Sequence, residues 1–137
     1  MIEVSSVELA EHLDELLTIK YADPAGSAVV RRLLRNKDRK RVAIIIDDKA
    51  PIVLSLSADG HSVSVGDAAG CDAVMRVSLV DLVSLMVGAL PIRSVLTRRL
   101  KYRGSLIDGF LIKRLFTMEI GDRPTAMAYF RHYFLDE

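Results

Sequence analysis

The feature that most constrains this chain is the nearly all-apolar stretch Leu79–Leu90. Ser78 precedes it as a predicted N-cap, and Asp81 stands three residues later in the manner of a capping box, so the stretch is predicted to be a helix. Only Asp81, Ser84 and Gly88 interrupt it, and they share one narrow stripe at helical spacing. Because a helix this apolar must be covered on more than one side, it lies in the core or faces a cavity holding something apolar.

The segment after this helix contains a break, a strand and a further helix. Gly88 to Pro91 ends the apolar helix, and a second short helix is predicted before a strand over Arg99–Arg103. Gly104 lies where the backbone must turn sharply, and glycine takes positive φ there at no steric cost. Ser105 is the predicted cap of the next helix. The broad apolar face predicted for that helix comprises Leu106, Ile107, Phe110, Leu111, Leu115 and Phe116.

Two helices are predicted in the N-terminal segment, residues 1–41. Ser5 or Ser6 caps the first, with Glu8 placed to complete a capping box with Ser5. Asp23-Pro24 starts the second, because proline suits the first helical position. Their apolar stripes are Leu9, Leu13, Leu16 and Leu17 in the first, and Val29, Val30, Leu33 and Leu34 in the second.

The middle of the chain has the pattern of a small sheet. Val42–Ile46 is a continuous apolar run, typical of a central strand buried on both faces. Ile52–Ser57 alternates as a one-sided strand, and Asp59-Gly60 predicts a hairpin into a polar edge strand. With the strands Asp72–Val77 and Arg99–Arg103, these predict an α+β fold. It has a single five-stranded mixed, mostly antiparallel sheet, with helices packed on one face.

Length and composition predict a single domain over residues 1–137. Its parts are the N-terminal helices (1–41), a core (42–117) and an aromatic C-terminal tail helix (118–137). Half of the residues are apolar, enough for one core. The 19 basic and 18 acidic residues nearly cancel, which argues against a nucleic-acid partner. One cysteine, no signal-like N-terminus and no membrane-length apolar run indicate a cytoplasmic protein.

No catalytic or metal-binding constellation stands out, so we expect no enzyme activity, no metal and no cofactor. The three histidines, His12, His61 and His132, lie in separate elements, and His61 is interpreted as a surface residue beside a turn. Cys71 has no basic neighbour in sequence to activate its thiol. The adjacent Asp47 and Asp48 belong to a strand end, and phosphate-binding glycine motifs are missing.

The order of these elements resembles the sterol carrier protein 2 domain. The resemblance rests on Asp72–Val77 followed by the Ser78-led helix, on the turn Gly88–Pro91, and on Arg99–Ser105, a basic and apolar strand closing on a glycine. It extends over Val42–Phe116. It implies a small fold with an apolar tunnel between sheet and helices, which binds or transfers a fatty acyl, sterol-like or isoprenoid lipid without catalysis. Some bacterial relatives present a quinone or isoprenoid intermediate to enzymes.

Seven residues are predicted to line that tunnel, although for any single one of them an ordinary core position is the favoured interpretation. They are Leu82, Leu85, Met86, Val95, Ile107, Phe110 and Leu111. Met86 suits a promiscuous apolar site because its side chain is adaptable. The alternative function is an interaction module or accessory subunit that has the same fold with a filled core.

Two further surfaces are candidates for contacts. The tail places Met127, Tyr129, Phe130, Tyr133 and Phe134 at helical spacing, as a lid on the tunnel, a contact in a weak homodimer or a membrane contact. The segment Arg31–Arg41 holds seven basic residues in eleven, interpreted as a solvated helix end or a peripheral contact with an anionic membrane. A second basic set, Arg98, Arg99, Lys101 and Arg103, is explained by protection of an edge strand.

Overall fold

The computed structural model describes residues 5–35, 37–86 and 101–116, without the side chains of residues 83–86. The predicted short helix after Pro91 and the predicted tail helix lie outside the described residues. The helices are α1 (Ser6–Ala22), α2 (Pro24–Leu34), α3 (Leu79–Met86) and α4 (Leu106–Phe116). The strands are β1 (Arg39–Ile46), β2 (Ile52–Ser57), β3 (His61–Val65), β4 (Ala73–Val77) and β5 (Lys101–Arg103).

The five strands form one mixed sheet in the order β3-β2-β1-β4-β5. β1 and β4 run parallel, with Val42 opposite Ala73, and the other three strand pairs are antiparallel. The polar strand β3 lies at one edge, as its composition predicts. The predicted five-stranded, mostly antiparallel sheet is therefore confirmed.

β1 is central because its side chains are apolar on both faces. Val42, Ile44 and Ile46 face the helices in the main core, and Ala43 and Ile45 belong to a small cluster on the opposite face. The strand begins at residue 39, three residues before the predicted apolar run. Residues 39–41, assigned to the N-terminal helical segment from sequence, are thus part of the sheet.

All four helices contribute to the core on one face of the sheet, as predicted. The predicted apolar stripes of α1 and α2 are buried there. Ser5 caps α1 by accepting a hydrogen bond from the Glu8 amide at 3.3 Å. Asp23 occupies the N-cap position of α2, but its side chain makes no capping hydrogen bond.

The junction of α1 and α2 depends on Gly26, which the sequence patterns do not single out. A Cβ atom at this position would lie 2.2 Å from the carbonyl oxygen of Lys20. Since that contact is to backbone, a side chain here would force the two helices apart.

Candidate functional site

The described part of the apolar helix, α3, is positioned by polar contacts at its start. The Asp81 amide donates to Ser78 Oγ at 3.1 Å, which confirms the predicted cap. Leu79 and Leu82 are buried in the main core. Asp81 is also buried, whereas Val80 is 60% exposed, so part of the apolar circumference of this helix faces outward.

The seven predicted tunnel residues fall into three groups. Leu82 and Leu111 are buried and belong to the same core cluster. Ile107 and Phe110 are 60% and 53% exposed on α4. Leu85 and Met86 lie on α3 at positions without described side chains, and Val95 lies outside the described residues. The lining of a tunnel by these residues stays a prediction, as do the roles of the five tail residues, which lie outside the described ranges.

The helix α4 has a different buried face from the one that its apolar residues predict. Its buried residues are Asp108, Leu111, Ile112, Leu115 and Phe116. Leu106, Ile107 and Phe110, predicted on the buried face, form instead an exposed apolar side of the helix. The predicted face is wrong at these three positions because a buried charge sets the rotation of the helix.

That charge is Asp108, which is 4% exposed and pairs with the equally buried Lys40 of β1. Lys40 Nζ lies 2.6 Å from Asp108 Oδ2 and also donates to the carbonyl oxygen of Leu33 at 3.0 Å. Arg35, at the end of α2, places Nη2 3.1 Å from Asp108 Oδ1, without hydrogen-bond geometry. The group ties α2, β1 and α4 together and turns the Asp108 side of α4 inward.

The motifs described above do not include the Lys40–Asp108 pair, although the sequence contains a pattern that indicates it. Asp108, Leu111, Ile112 and Leu115 have the i, i+3, i+4, i+7 spacing of one helical face. Lys40 alternates with Arg39 and Arg41, so it must point to the opposite face of its strand from them. An acid on an apolar stripe and an inward-pointing lysine together predict a buried ion pair.

The turn from β5 into α4 is held by Tyr102. Its hydroxyl donates to the Ser105 carbonyl oxygen at 2.6 Å, and its ring packs against Gly109. Burial, together with the nearby negative charge of Asp108, raises the pKa of Tyr102 to about 12. Gly104 has a φ of 142°, which confirms the predicted positive value.

The seven basic residues of Arg31–Arg41 do not form one patch. Lys40 is buried, Arg35 approaches Asp108, and Lys37 lies 3.5 Å from Asp72. Arg31 and Arg32 are exposed on α2, whereas Arg39 and Arg41 are exposed on β1. Membrane contact by the cluster as a whole stays a prediction.

His12, His61 and Cys71 have structural surroundings, whereas His132 lies outside the described residues. His61 is not the surface residue that its turn position predicts: its side chain is 11% exposed, its Nε2 lies 2.9 Å from Asp14 Oδ1, and its ring lies 5.0 Å from the Tyr21 ring at a tilted angle of 42°. Burial lowers the pKa of His12 on α1. Cys71 is a free, half-buried thiol. In residues 5–35, 37–86 and 101–116, no group of three His, Cys, Asp or Glu side chains could hold a metal ion.

The fold is a small α+β layer, one five-stranded mixed sheet with helices packed on one face. The family model described as the SCP-2 sterol transfer family matches residues 13–117. The chain belongs to this family. The match begins within α1, well before the Val42–Phe116 range that the motifs predict.

Solved structures share the fold at low sequence identity. The chain is 16% identical to a UbiJ-SCP2 ubiquinone synthesis protein (TM-score 0.66; 84% of this chain and 93% of that chain covered). For sterol carrier protein domain 2 of Helicoverpa armigera the identity is 16% and the TM-score 0.57, with 80% of this chain and 88% of that chain covered. For sterol carrier protein 2 from Yarrowia lipolytica the identity is 14% and the TM-score 0.53, with 76% of this chain and 86% of that chain covered.

A search of curated proteins found no match. Among the described residues, no helix is both long enough and apolar enough to cross a membrane.

Proposed function

We propose that this protein binds an apolar lipid in the cytoplasm, of the fatty acyl, sterol-like or isoprenoid type, and does no chemistry on it. The observation that carries the proposal is the match of the SCP-2 sterol transfer family over residues 13–117, which include α3 and α4. The driving force is burial of alkyl surface, about 0.8 kcal/mol for each methylene. Loss of ligand freedom and ordering of the chain offset much of this gain.

The proposed binding region lies between α3 and α4. Leu82 and Leu111 supply buried apolar surface there. The exposed side of α4 adds apolar side chains that remain accessible to a ligand. We define the α4 apolar side as Leu106, Ile107 and Phe110, which are 72%, 60% and 53% exposed. Three large apolar side chains in one and a half turns favour a contact with a lipid or with another segment of the chain.

A double substitution tests this region without disturbing the buried core. Ile107→Ser with Phe110→Ser is expected to weaken binding of fluorescent fatty acyl or sterol probes by roughly tenfold or more, because apolar contact area is lost. The matched control is Val7→Ser with Ile19→Ser, two residues of α1 that are 60% and 56% exposed. Probe titration of each folded variant gives the affinity. Saturable binding in neither the parent nor the control would refute the proposal.

The second candidate is an interaction module with a filled core, or an accessory subunit that presents a quinone or isoprenoid intermediate to partner enzymes. The structural similarity to a protein named for ubiquinone synthesis favours it. Organic extraction of the purified protein followed by mass spectrometry separates the two. A co-purifying lipid supports the binder, and its chemical class distinguishes a quinone intermediate from a fatty acid or sterol.

We further propose that the aromatic tail is a lid that docks on the α4 apolar side. One support is the exposure of Leu106, Ile107 and Phe110 on α4. The other is the turn signal at Gly121 to Pro124, which would fold the tail back onto that helix. The proposed docking residues are Met127, Tyr129, Phe130, Tyr133 and Phe134.

A chain ending at Gly121 tests the lid. We expect a monomer before and after truncation, with faster exchange of a bound fluorescent lipid, because the apolar cover is lost. Light scattering gives the mass and stopped-flow fluorescence gives the exchange rate. A dimer that becomes monomeric on truncation would instead assign the tail to a homodimer contact, and unchanged mass and exchange would leave a membrane as its partner.

A further inference from the structure

The face of the sheet opposite the helices carries basic side chains from three neighbouring strands. Strand alternation and register place them together, since Ile45 is opposite Arg76, Arg76 opposite Lys101, and Val74 opposite Arg103. We define the cationic sheet face as Arg39 and Arg41 of β1, Arg76 of β4, and Lys101 and Arg103 of β5, all exposed. In the described strands, no acidic side chain points to this face.

The cationic sheet face surrounds an apolar floor. A cavity of about 340 Å³ opens there. Its floor contains Ile45 and Val74, and Ala68 and Ala69 of the loop before β4 close one side. Arg76, Lys101 and Arg103 line the same cavity. A ligand group placed here meets positive charge at the rim and methyl groups beneath.

The five cations of this face are not neutralised within the described part of the chain. The ion pairs of Arg35, Lys37, Lys40 and His61 are with Asp108, Asp72 and Asp14, and none of them involves a member of the face. The Asp67 carboxylate on the adjoining loop accepts from the Ala69 amide at 2.9 Å. The Asp72 carboxylate beside β1 accepts from the Arg41 amide at 2.9 Å and pairs with Lys37. The five cations have no ion-pair partner of their own among the described residues, so they repel one another, and an anionic partner relieves that repulsion.

On the opposite side of the sheet, the exposed face of α1 is acidic. Glu8, Glu11, Asp14 and Glu15 are exposed on α1, which packs on the helix-covered side of the sheet. The net charge of +1 therefore conceals an acidic face on α1 and a cationic sheet face on the other side of the sheet. Near an extended negative surface, such a charge distribution orients the protein with the cationic sheet face toward that surface.

We propose that the cationic sheet face docks on a lipid bilayer that contains anionic phospholipid. The charges spread over three adjacent strands, about 5 Å apart, so they match a plane of phosphate groups better than a single line of charge. Nucleic acid is disfavoured because the one aromatic at the cavity, Tyr102, has its ring packed against Gly109 and is not free to stack on bases. A second copy of the same face is excluded by repulsion between like charges.

This proposal stands apart from lipid binding between α3 and α4, because it concerns the other face of the sheet. Docking there would hold a lipid carrier at a membrane with its helices pointing away from the surface. It also gives Arg39 and Arg41 a role separate from the rest of the Arg31–Arg41 cluster.

The test is co-sedimentation of the full chain with phosphatidylcholine vesicles, with and without phosphatidylglycerol. Arg76→Gln with Arg103→Gln is expected to weaken binding to the anionic vesicles by roughly 10- to 30-fold, since each cation near such a surface contributes about 1 kcal/mol. The matched control is Arg31→Gln with Arg32→Gln on α2, which removes the same charge from another exposed site and is expected to retain binding. Added salt should weaken binding of the parent protein.

Three results would overturn the proposal: an equal loss in the control, equal binding to vesicles of phosphatidylcholine alone, or no vesicle binding at all. Binding of poly-glutamate in place of vesicles, lost in the same double variant, would assign the face to an acidic protein. If Arg103→Gln prevents folding, Arg39→Gln replaces it in the double variant. The vesicle assay uses no fluorescent lipid probe, and probe affinity should be unchanged in these variants. Failure of the docking proposal is therefore distinguishable from failure of the lipid-binding proposal.

Discussion

Replacing Asp108 with alanine is expected to lower the free energy of unfolding by about 3–5 kcal/mol, because it leaves the ammonium group of Lys40 buried without a counter-charge. Lys40 is 4% exposed, and its remaining hydrogen bond is to the carbonyl oxygen of Leu33. Arg35 cannot supply that counter-charge, because its guanidinium is also a cation. Denaturant unfolding followed by circular dichroism measures the loss.

Two comparison variants make this result specific. Lys40→Met with Asp108→Leu removes both charges, so it should lose much less stability than Asp108→Ala alone. Lys37→Ala breaks the exposed pair with Asp72 and should cost less than about 1 kcal/mol. A loss on Asp108→Ala no larger than that of Lys37→Ala would show that the buried pair does not hold α4 in place.

Replacing Gly104 with valine is the second change with a large expected effect, about 1–3 kcal/mol of destabilisation. The φ of 142° is strained for any residue with a Cβ atom. That atom would also lie 2.8 Å from the Tyr102 hydroxyl and 3.2 Å from Ala73 Cβ. The hydroxyl cannot move aside freely, because it donates to the Ser105 carbonyl oxygen at 2.6 Å.

Gly60→Ala is the matched control for Gly104, since a Cβ atom there meets nothing within 4 Å. Thermal unfolding should show a clear drop in Tm for Gly104→Val and little change for the control. Equal melting temperatures for the parent and Gly104→Val would mean that the turn between β5 and α4 tolerates a side chain. Because that turn sets the start of α4, the valine variant should also weaken lipid-probe binding.

Local patterns were enough to predict much of the fold. The apolar run of β1, the alternation in β2 and the Asp59-Gly60 turn each depend on neighbours within a few residues, and the sheet formed from them as expected. The caps at Ser5 and Ser78 are equally local. The order of elements after residue 72 indicated the family before any geometry was known, and the family match confirmed it.

The candidate lipid site was predicted only in part. Leu82 and Leu111 are buried in one core cluster, as apolar residues on facing helices should be. Ile107 and Phe110 are exposed because α4 is apolar around most of its circumference, so its hydrophobic pattern does not specify one rotation. The sequence does contain Lys40 and Asp108, but 68 residues separate them along the chain.

The sequence by itself determined the elements that the structure describes, their order and the family, because these follow from interactions between residues close along the chain. Only the tertiary structure decided which side of α4 turns inward, since Lys40 and Asp108 meet through folding. It also decided that Arg39, Arg41, Arg76, Lys101 and Arg103 share one face, because the register of three strands brings distant segments side by side. A net charge of +1 counts all charges together, so it does not indicate where on the surface they lie.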